Sequence, residues 1–330
     1  MKKLCLLCLL LSAGVFLASI HAQDNASLRL VQTIPMPNVE GRIDHLAVDL
    51  AHKRLYVAAL VNNTLEVLDL RAGKVSQTVT GLKEPQGVVF VPETGILYVT
   101  TGGDGKCYAF SGDPLTRRAE VDAGADADNI RYDAAAKRLY VGYGSGALGI
   151  IDAPTLKPAG SVKLDGHPES FQLEKSGPGI YVNVPSARQI AVLDRIKQIV
   201  LSRWPLENVQ SNFPMALIEA SHRILVATRK PAKLLVLDTA SGKIAAEMEC
   251  AGDADDLFYD AAKKLVYVSC GEGVIDVFAE RDPDHYQEVA RIPTAAGART
   301  SVWVPELNQL FLAVPRRAGQ EAAIRIYQRD

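Results

Sequence analysis

The sequence predicts an all-β protein: a seven-bladed β-propeller of four-stranded antiparallel blades, with an N-terminal strand closing the last blade. Three observations lead there. The stretch Lys-Arg-Leu-Tyr-Val occurs twice, at 53–57 and at 137–141. The tyrosine of that stretch and its equivalents, Tyr56, Tyr98, Tyr140, Tyr181, Leu225, Tyr267 and Phe311, recur at intervals of 42, 42, 41, 44, 42 and 44 residues. A fixed period of this length marks a repeat architecture. No segment sustains a helical period, whereas short β-branched and aromatic runs alternate with turn residues throughout.

The elements follow in chain order. Met1-Lys2-Lys3 is basic, residues 4 to 20 are apolar, and Ser19-Ile20-His21-Ala22-Gln23 returns to small and polar residues. This is the pattern of a secretory signal, assigned here to residues 1–22, with one propeller domain over 23–330. No other stretch approaches membrane-spanning length, so no transmembrane anchor is expected after cleavage. The run from Leu28 to Ile34 reads as a strand with no partner in its own unit. Each unit then repeats four runs. The first is short and apolar (Leu46-Ala47-Val48) and the second is the Leu-Tyr-Val run. The third is again apolar (Leu65 to Leu68), and the fourth is more polar (Lys74 to Val79).

The middle runs are apolar at consecutive positions, as strands buried on both faces must be, and sheets packed radially against two neighbours bury both faces. The seventh unit ends after three runs, at Ile324-Arg325-Ile326-Tyr327, so residues 28–34 are expected to supply its fourth. Asp69, Asp152, Asp194 and Asp238 end third strands and read as turn-formers. Gly144 to Gly149 matches G-x-G-x-x-G in letters only, because two antiparallel strands flank it and no helix follows.

Losing Lys2 and Lys3 with the leader moves the formal charge from −2 to −4. This balance provides no basic face for nucleic acid. Cys107, Cys250 and Cys270 remain in the mature chain, an odd number without C-x-x-C spacing, so no zinc cluster is implied. Cys250 and Cys270 are either free and buried or paired with each other.

Strand-turn sentences such as RLYVAALVNNTLEVLDL (54–70) and ILYVTTGGDGKCYAF (96–110) resemble the YVTN-type β-propellers, which include YncE-like exported bacterial proteins. The likeness spans roughly residues 28 to 330. It implies a propeller fold, export to the periplasm or beyond, and a binding or interaction role with no assigned reaction. The repeat specifies fold and is nearly silent about chemistry.

Ligand sites in propellers gather where the innermost strands begin. The two positions before each first strand are Asp44-His45, Gln86-Gly87, Asp128-Asn129, Glu169-Ser170, Pro214-Met215, Asp255-Asp256 and Arg299-Thr300. The ligand-binding candidates are therefore Asp44, His45, Asp128, Asn129, Glu169, Asp255, Asp256 and Arg299. Crowded carboxylates repel one another, and a cation would relieve them. Calcium suits the oxygens, while His45 admits zinc or manganese. A metal would draw on Asp44, His45, Asp128, Glu169, Asp255 and Asp256. The competing reading makes these residues caps of the turns that enter the strands. His167 borders the same mouth, and Arg229, Lys230, Arg299, Arg316 and Arg317 could add positive charge for gripping a zwitterionic or carboxylated molecule.

The leading expectation is an exported, monomeric, non-catalytic propeller that binds a small molecule, peptide or protein at its channel mouth. One alternative is a metal-dependent hydrolase of lactonase type, although nothing here matches the lactonase ligand set residue by residue. Another is a structural cell-surface protein.

Overall fold

The innermost strands of seven sheets, Leu46–Asp49, Pro85–Val91, Ile130–Asp133, Phe171–Leu173, Gln210–Ile218, Ala254–Asp260 and Ser301–Val304, line a common axis. They begin blades 1 to 7 of a computed structural model that describes residues 28–144 and 146–329. The leader assigned to residues 1–22 lies outside the described residues. Blades 1 to 6 each take four consecutive antiparallel strands. In blade 7 the order is Ser301–Val304, Gln309–Val314, Ala323–Arg329 and then Leu28–Pro35, which closes the ring from the other end of the chain. Among the described residues the only helical pieces are three-residue 3₁₀ turns at Pro185–Ala187, Glu219–Ser221 and Pro305–Leu307.

The second strands show why consecutive apolar residues are needed. In Arg54–Ala59 the side chains alternate between two neighbours. Leu55, Val57 and Ala59 pack with Phe311, Ala313 and Ile324 of blade 7. Tyr56 and Ala58 pack with Val88, Leu97 and Val99 of blade 2. All seven repeat markers are buried, from Tyr56 to Phe311. The fourth strands have one free edge and alternate exposed with half-buried residues, as in Lys74–Val79. A register shift recurs in the outermost strand pair of every blade. Such a bulge twists the free edge and makes it a poor template for pairing with another chain.

Third-strand aspartates form the turns expected of them. Asp69 Oδ1 accepts the N–H groups of Arg71 and Ala72 at 2.8 and 3.0 Å, and Asp194 Oδ1 accepts those of Ile196 and Lys197 at 2.9 Å. These bonds favour the ionised form and hold both carboxyls below their usual pKa. Cys107, Cys250 and Cys270 are free and buried, so the pairing left open for Cys250 and Cys270 is not made. Burial pushes the Cys250 thiol up to about 12, which leaves it a weak nucleophile.

Tyr267 of blade 6 packs against Trp303 of blade 7 with ring centroids 4.9 Å apart and the rings tilted 45°, and its hydroxyl is buried without a hydrogen-bond partner. Removing an unsatisfied buried hydroxyl while keeping the ring recovers its desolvation cost. Tyr267→Phe is therefore expected to stabilise the protein by about 1 kcal/mol. Equilibrium denaturation would show it as a raised midpoint at constant slope, and a lowered midpoint would mean that the hydroxyl has a partner.

Candidate functional site: the mouth and channel of the ring

The axis carries two connected spaces that share His45 and Ser170 in their walls. The outer one, at the mouth, is a cell of about 20 Å³ lined by Arg42, Asp44, His45, Asp128, Asn129, Glu169, Ser170, Phe213 and Asp255. That is room for one water molecule or one small cationic group. The inner one is a channel cavity of about 410 Å³, walled by apolar residues such as Val88, Met215, Leu257 and Trp303 and carrying His45, Arg131, Lys175 and Asp256 as its acidic and basic side chains.

The sequence-selected residues therefore fall into three places. Asp44, His45, Asp128, Asn129, Glu169 and Asp255 share the small cell. Asp256 lies deeper and faces the channel cavity. Arg299 turns outward into a groove between blades 7 and 1. Asp255 and Asp256 part company because successive residues of an extended chain point to opposite sides, and a register shift between Ala254 and Asp256 sets Asp255 apart from the ladder.

Arginines supply most of the countercharge at the mouth. Arg42 Nη2 lies 3.1 Å from Asp44 Oδ2. Arg299 donates from Nη1 to Asp253 at 2.6 Å and forms an ion pair with Asp255, its Nε 2.9 Å from Oδ2. Arg229 Nη2 reaches the other oxygen of Asp255 at 2.6 Å, while its guanidinium lies 3.9 Å over the Phe213 ring. His167 holds the Gly144 carbonyl at 2.8 Å through Nδ1 and puts Nε2 3.6 Å from Asp128 Oδ2. Among the described residues, no three His, Cys, Asp or Glu side chains gather closely enough to ligate one ion. Arginines relieve the repulsion at Asp44 and Asp255, while Asp128 and Asp255 still push on Glu169.

The turn-capping alternative also fails to describe them. Asp44 accepts from Arg42, and Asp256 Oδ2 accepts the backbone N–H of Ser301 from the next blade at 2.7 Å. Asp128 Oδ1 and Asn129 Oδ1 are buried and accept no hydrogen bond. Two orphaned acceptors in one small cell call for a donor.

The electrostatics follow from burial. Burial, and then Asp128 and Asp255, push Glu169 up to about 8. Burial raises Asp256 to about 7 against the pull of His45. Asp128 beside His167 raises that imidazole to about 9, opposed by burial. Burial works against a charged His45, but Asp44, Asp256 and Asp128 outweigh it and its pKa rises. Perturbed carboxyls (Asp44 and Glu169 at the mouth, Asp256 in the channel) and two perturbed imidazoles mark this end of the axis as a candidate site for a ligand or for chemistry.

Arg42, Arg131, Phe213 and Asp253 were missed by the sequence reading. Arg131 had a usable signal. The residues paired with the seven repeat markers are Ala47, Val89, Arg131, Gln172, Ala216, Phe258 and Val302. Arg131 is the charged one among them. Its Nη1 donates to the carbonyl of Ile130 at 2.9 Å, its guanidinium lies 5.5 Å from the Phe171 ring centre, and no carboxylate among the described residues pairs with it. Burial pulls its pKa down, with Asp256 and Asp128 opposing.

Fold and site together define a seven-bladed β-propeller with a polar, charge-compensated mouth and a half-apolar channel. Two solved structures are similar to it. One is a chain in the crystal structure of the mitotic checkpoint complex, with a TM-score of 0.78 at 12% identity over 99% of both chains. The other comes from Kuenenia stuttgartiensis hydrazine synthase, with a TM-score of 0.74 at 16% identity over 87% of this chain and 97% of that one. Identities this low show the fold alone. No family model matches the chain. No curated protein matches it either. Among the described residues no helix is long and apolar enough to cross a membrane.

Proposed function

We propose that this chain is an exported, YVTN-like, non-catalytic binding propeller that takes a small zwitterionic or carboxylated molecule into its central channel. The observation that carries the proposal is Arg131, a guanidinium facing a cavity of about 410 Å³ with only the Ile130 carbonyl bonded to it. An unpaired charge in a low-dielectric setting is costly, and a carboxylate would relieve it through a forked pair of hydrogen bonds. The volume suits a small organic molecule, and the apolar walls suit its body. At the mouth, Asp128 Oδ1 and Asn129 Oδ1 wait for a donor such as an ammonium group. The same clamp would accept the C-terminal carboxylate of a peptide. Export rests on the basic-then-apolar pattern of residues 1–22.

The lactonase-type alternative needs a cation among carboxylates of which Asp44 and Asp255 are already engaged by Arg42, Arg229 and Arg299, and no three ligating side chains gather among the described residues, so the binding reading is preferred. The test is calorimetric titration of residues 23–330 with a panel of α-amino acids, small mono- and dicarboxylates and short peptides. A saturating member of the panel is expected. Arg131→Gln should weaken it at least about tenfold, because a lost charge-assisted pair is worth roughly 1.5–3 kcal/mol, while the melting temperature holds. Silence across the panel, or equal affinity in the variant, would overturn the proposal.

A further inference from the structure

We propose a second site, distinct from the channel cavity and bordering the small mouth cell through Arg42: an oxyanion pocket on the mouth face between blades 7 and 1, suited to a phosphoryl or polycarboxylate group. The groove there has a volume of about 300 Å³ and is lined by Gly41–Ile43, by Gly297 and Arg299, and by Pro315–Arg317. It presents four guanidiniums, from Arg42, Arg299, Arg316 and Arg317, and its wall contains no acidic residue. No residue of this wall lines the channel cavity.

Three of the four arginines are anchored by acceptors that lie outside the pocket wall. Arg42 is held by Asp44, and Arg299 by Asp253 and Asp255. Arg316 is held by Glu40 at 3.2 Å and by the carbonyls of Val39 and Pro37. Each guanidinium carries five N–H donors, so these anchors fix orientation and still leave donors to spare. Arg317 is different. Its side chain is exposed and has no partner among the described residues.

Arg317 is nevertheless held in place. Its backbone pairs with Gln320 in both directions, at 3.0 and 2.9 Å, and Gln320 Nε2 ties that turn to the carbonyls of Ala296 and Pro315. The guanidinium lies flat on Gly297. A Cβ at that position would sit 2.3 Å from Arg317 Nη2, and the backbone there has φ +77°, so glycine is the residue that leaves the seat open. A seated guanidinium without an acceptor, beside three others in an acid-free wall, is preorganised for an anion of charge two or more.

Inorganic phosphate is the probe, followed by calorimetry and ³¹P line broadening at physiological salt. Saturable one-to-one binding is expected, weakened at least about tenfold in Arg317→Gln and unchanged in Arg131→Gln. Competition by citrate then separates the sources: displacement of phosphate by an equal concentration favours polycarboxylates, and no displacement favours phosphoryl groups. Binding that fails to saturate, that persists in Arg317→Gln, or that disappears in Arg131→Gln would overturn this assignment. The last result would place the anion in the channel and leave the proposed function standing.

Discussion

A chain that starts at Met36, without Leu28–Pro35, is expected to lose its cooperative melting transition. That strand pairs with Ala323–Arg329 over seven residue pairs and brings Ile34, fully buried, and Leu28, 4% exposed, into blade 7. Losing two such side chains costs roughly 1.5–3 kcal/mol each. The ladder hydrogen bonds add about 1 kcal/mol apiece. The sum matches or exceeds the whole stability of an ordinary domain, about 5–15 kcal/mol. The deletion also exposes the strand Ala323–Arg329, with Ile324, Ile326 and Tyr327, as an open edge, so aggregation should accompany unfolding. Circular dichroism melting of the truncated chain, alone and with a peptide of residues 28–35 added, decides the matter. A cooperative transition within about 5 °C of the intact chain would show that the ring does not depend on this closure.

Asp256→Asn is expected to stabilise the protein increasingly as pH rises from about 4 through neutrality and to change little below about pH 4. Burial raises the Asp256 carboxyl from 3.8 to about 7, so the folded state keeps a proton that the unfolded chain releases near 4. Its favourable contribution is complete below about pH 4 and is lost as pH rises through 7, which makes stability fall with pH over that window. Glu169, raised to about 8, acts in the same direction over a window that extends one unit higher. His167, raised from 6.5 to about 9, contributes fully below 6.5 and loses its contribution through 9. All three groups slope the same way, so the mouth should loosen as the medium turns alkaline. At 1.36 kcal/mol per pKa unit the Asp256 effect is on the order of 2–4 kcal/mol. Asparagine keeps an acceptor for the Ser301 N–H and has no charge to bury. Urea denaturation at about pH 3.5 and at pH 8.5 would show equal midpoints for the two proteins at the lower pH and a higher one for the variant at the upper. Parallel pH profiles would show that Asp256 is already ionised at no cost.

The ring was legible because every blade is written locally. A strand, a turn and the next strand lie within about 15 residues of each other, and the marker in Tyr56 recurs through Phe311 with little drift. The closing strand was legible by subtraction, since the seventh unit ends one strand short. The positions at the mouth could be found for the same reason, because Asp44, Asp128, Glu169 and Asp255 each precede the first strand of their unit. What these residues bond to could not be read in that way. Arg229 and Arg299 meet on Asp255 from blades 5 and 7, so the partners are separated by 26 and 44 positions in the chain. The crowd of acids therefore suggested a cation in the sequence, whereas arginines from neighbouring blades meet much of that need in the structure.

By itself, then, the sequence determined the fold class, the number of blades, the closure and the end of the channel where charge collects. These depend on periodicity and on short-range pairing, which one chain states openly. Only the tertiary structure decided that Asp256 turns into the channel while its neighbour turns away, that Arg131 faces the same cavity without an ion-pair contact to a carboxylate, and that Arg317 lies on Gly297 in a groove without acids in its wall. Those outcomes come from register, from a bulge and from the juxtaposition of blades about 42 residues apart, and charge compensation between blades is a property of the closed ring.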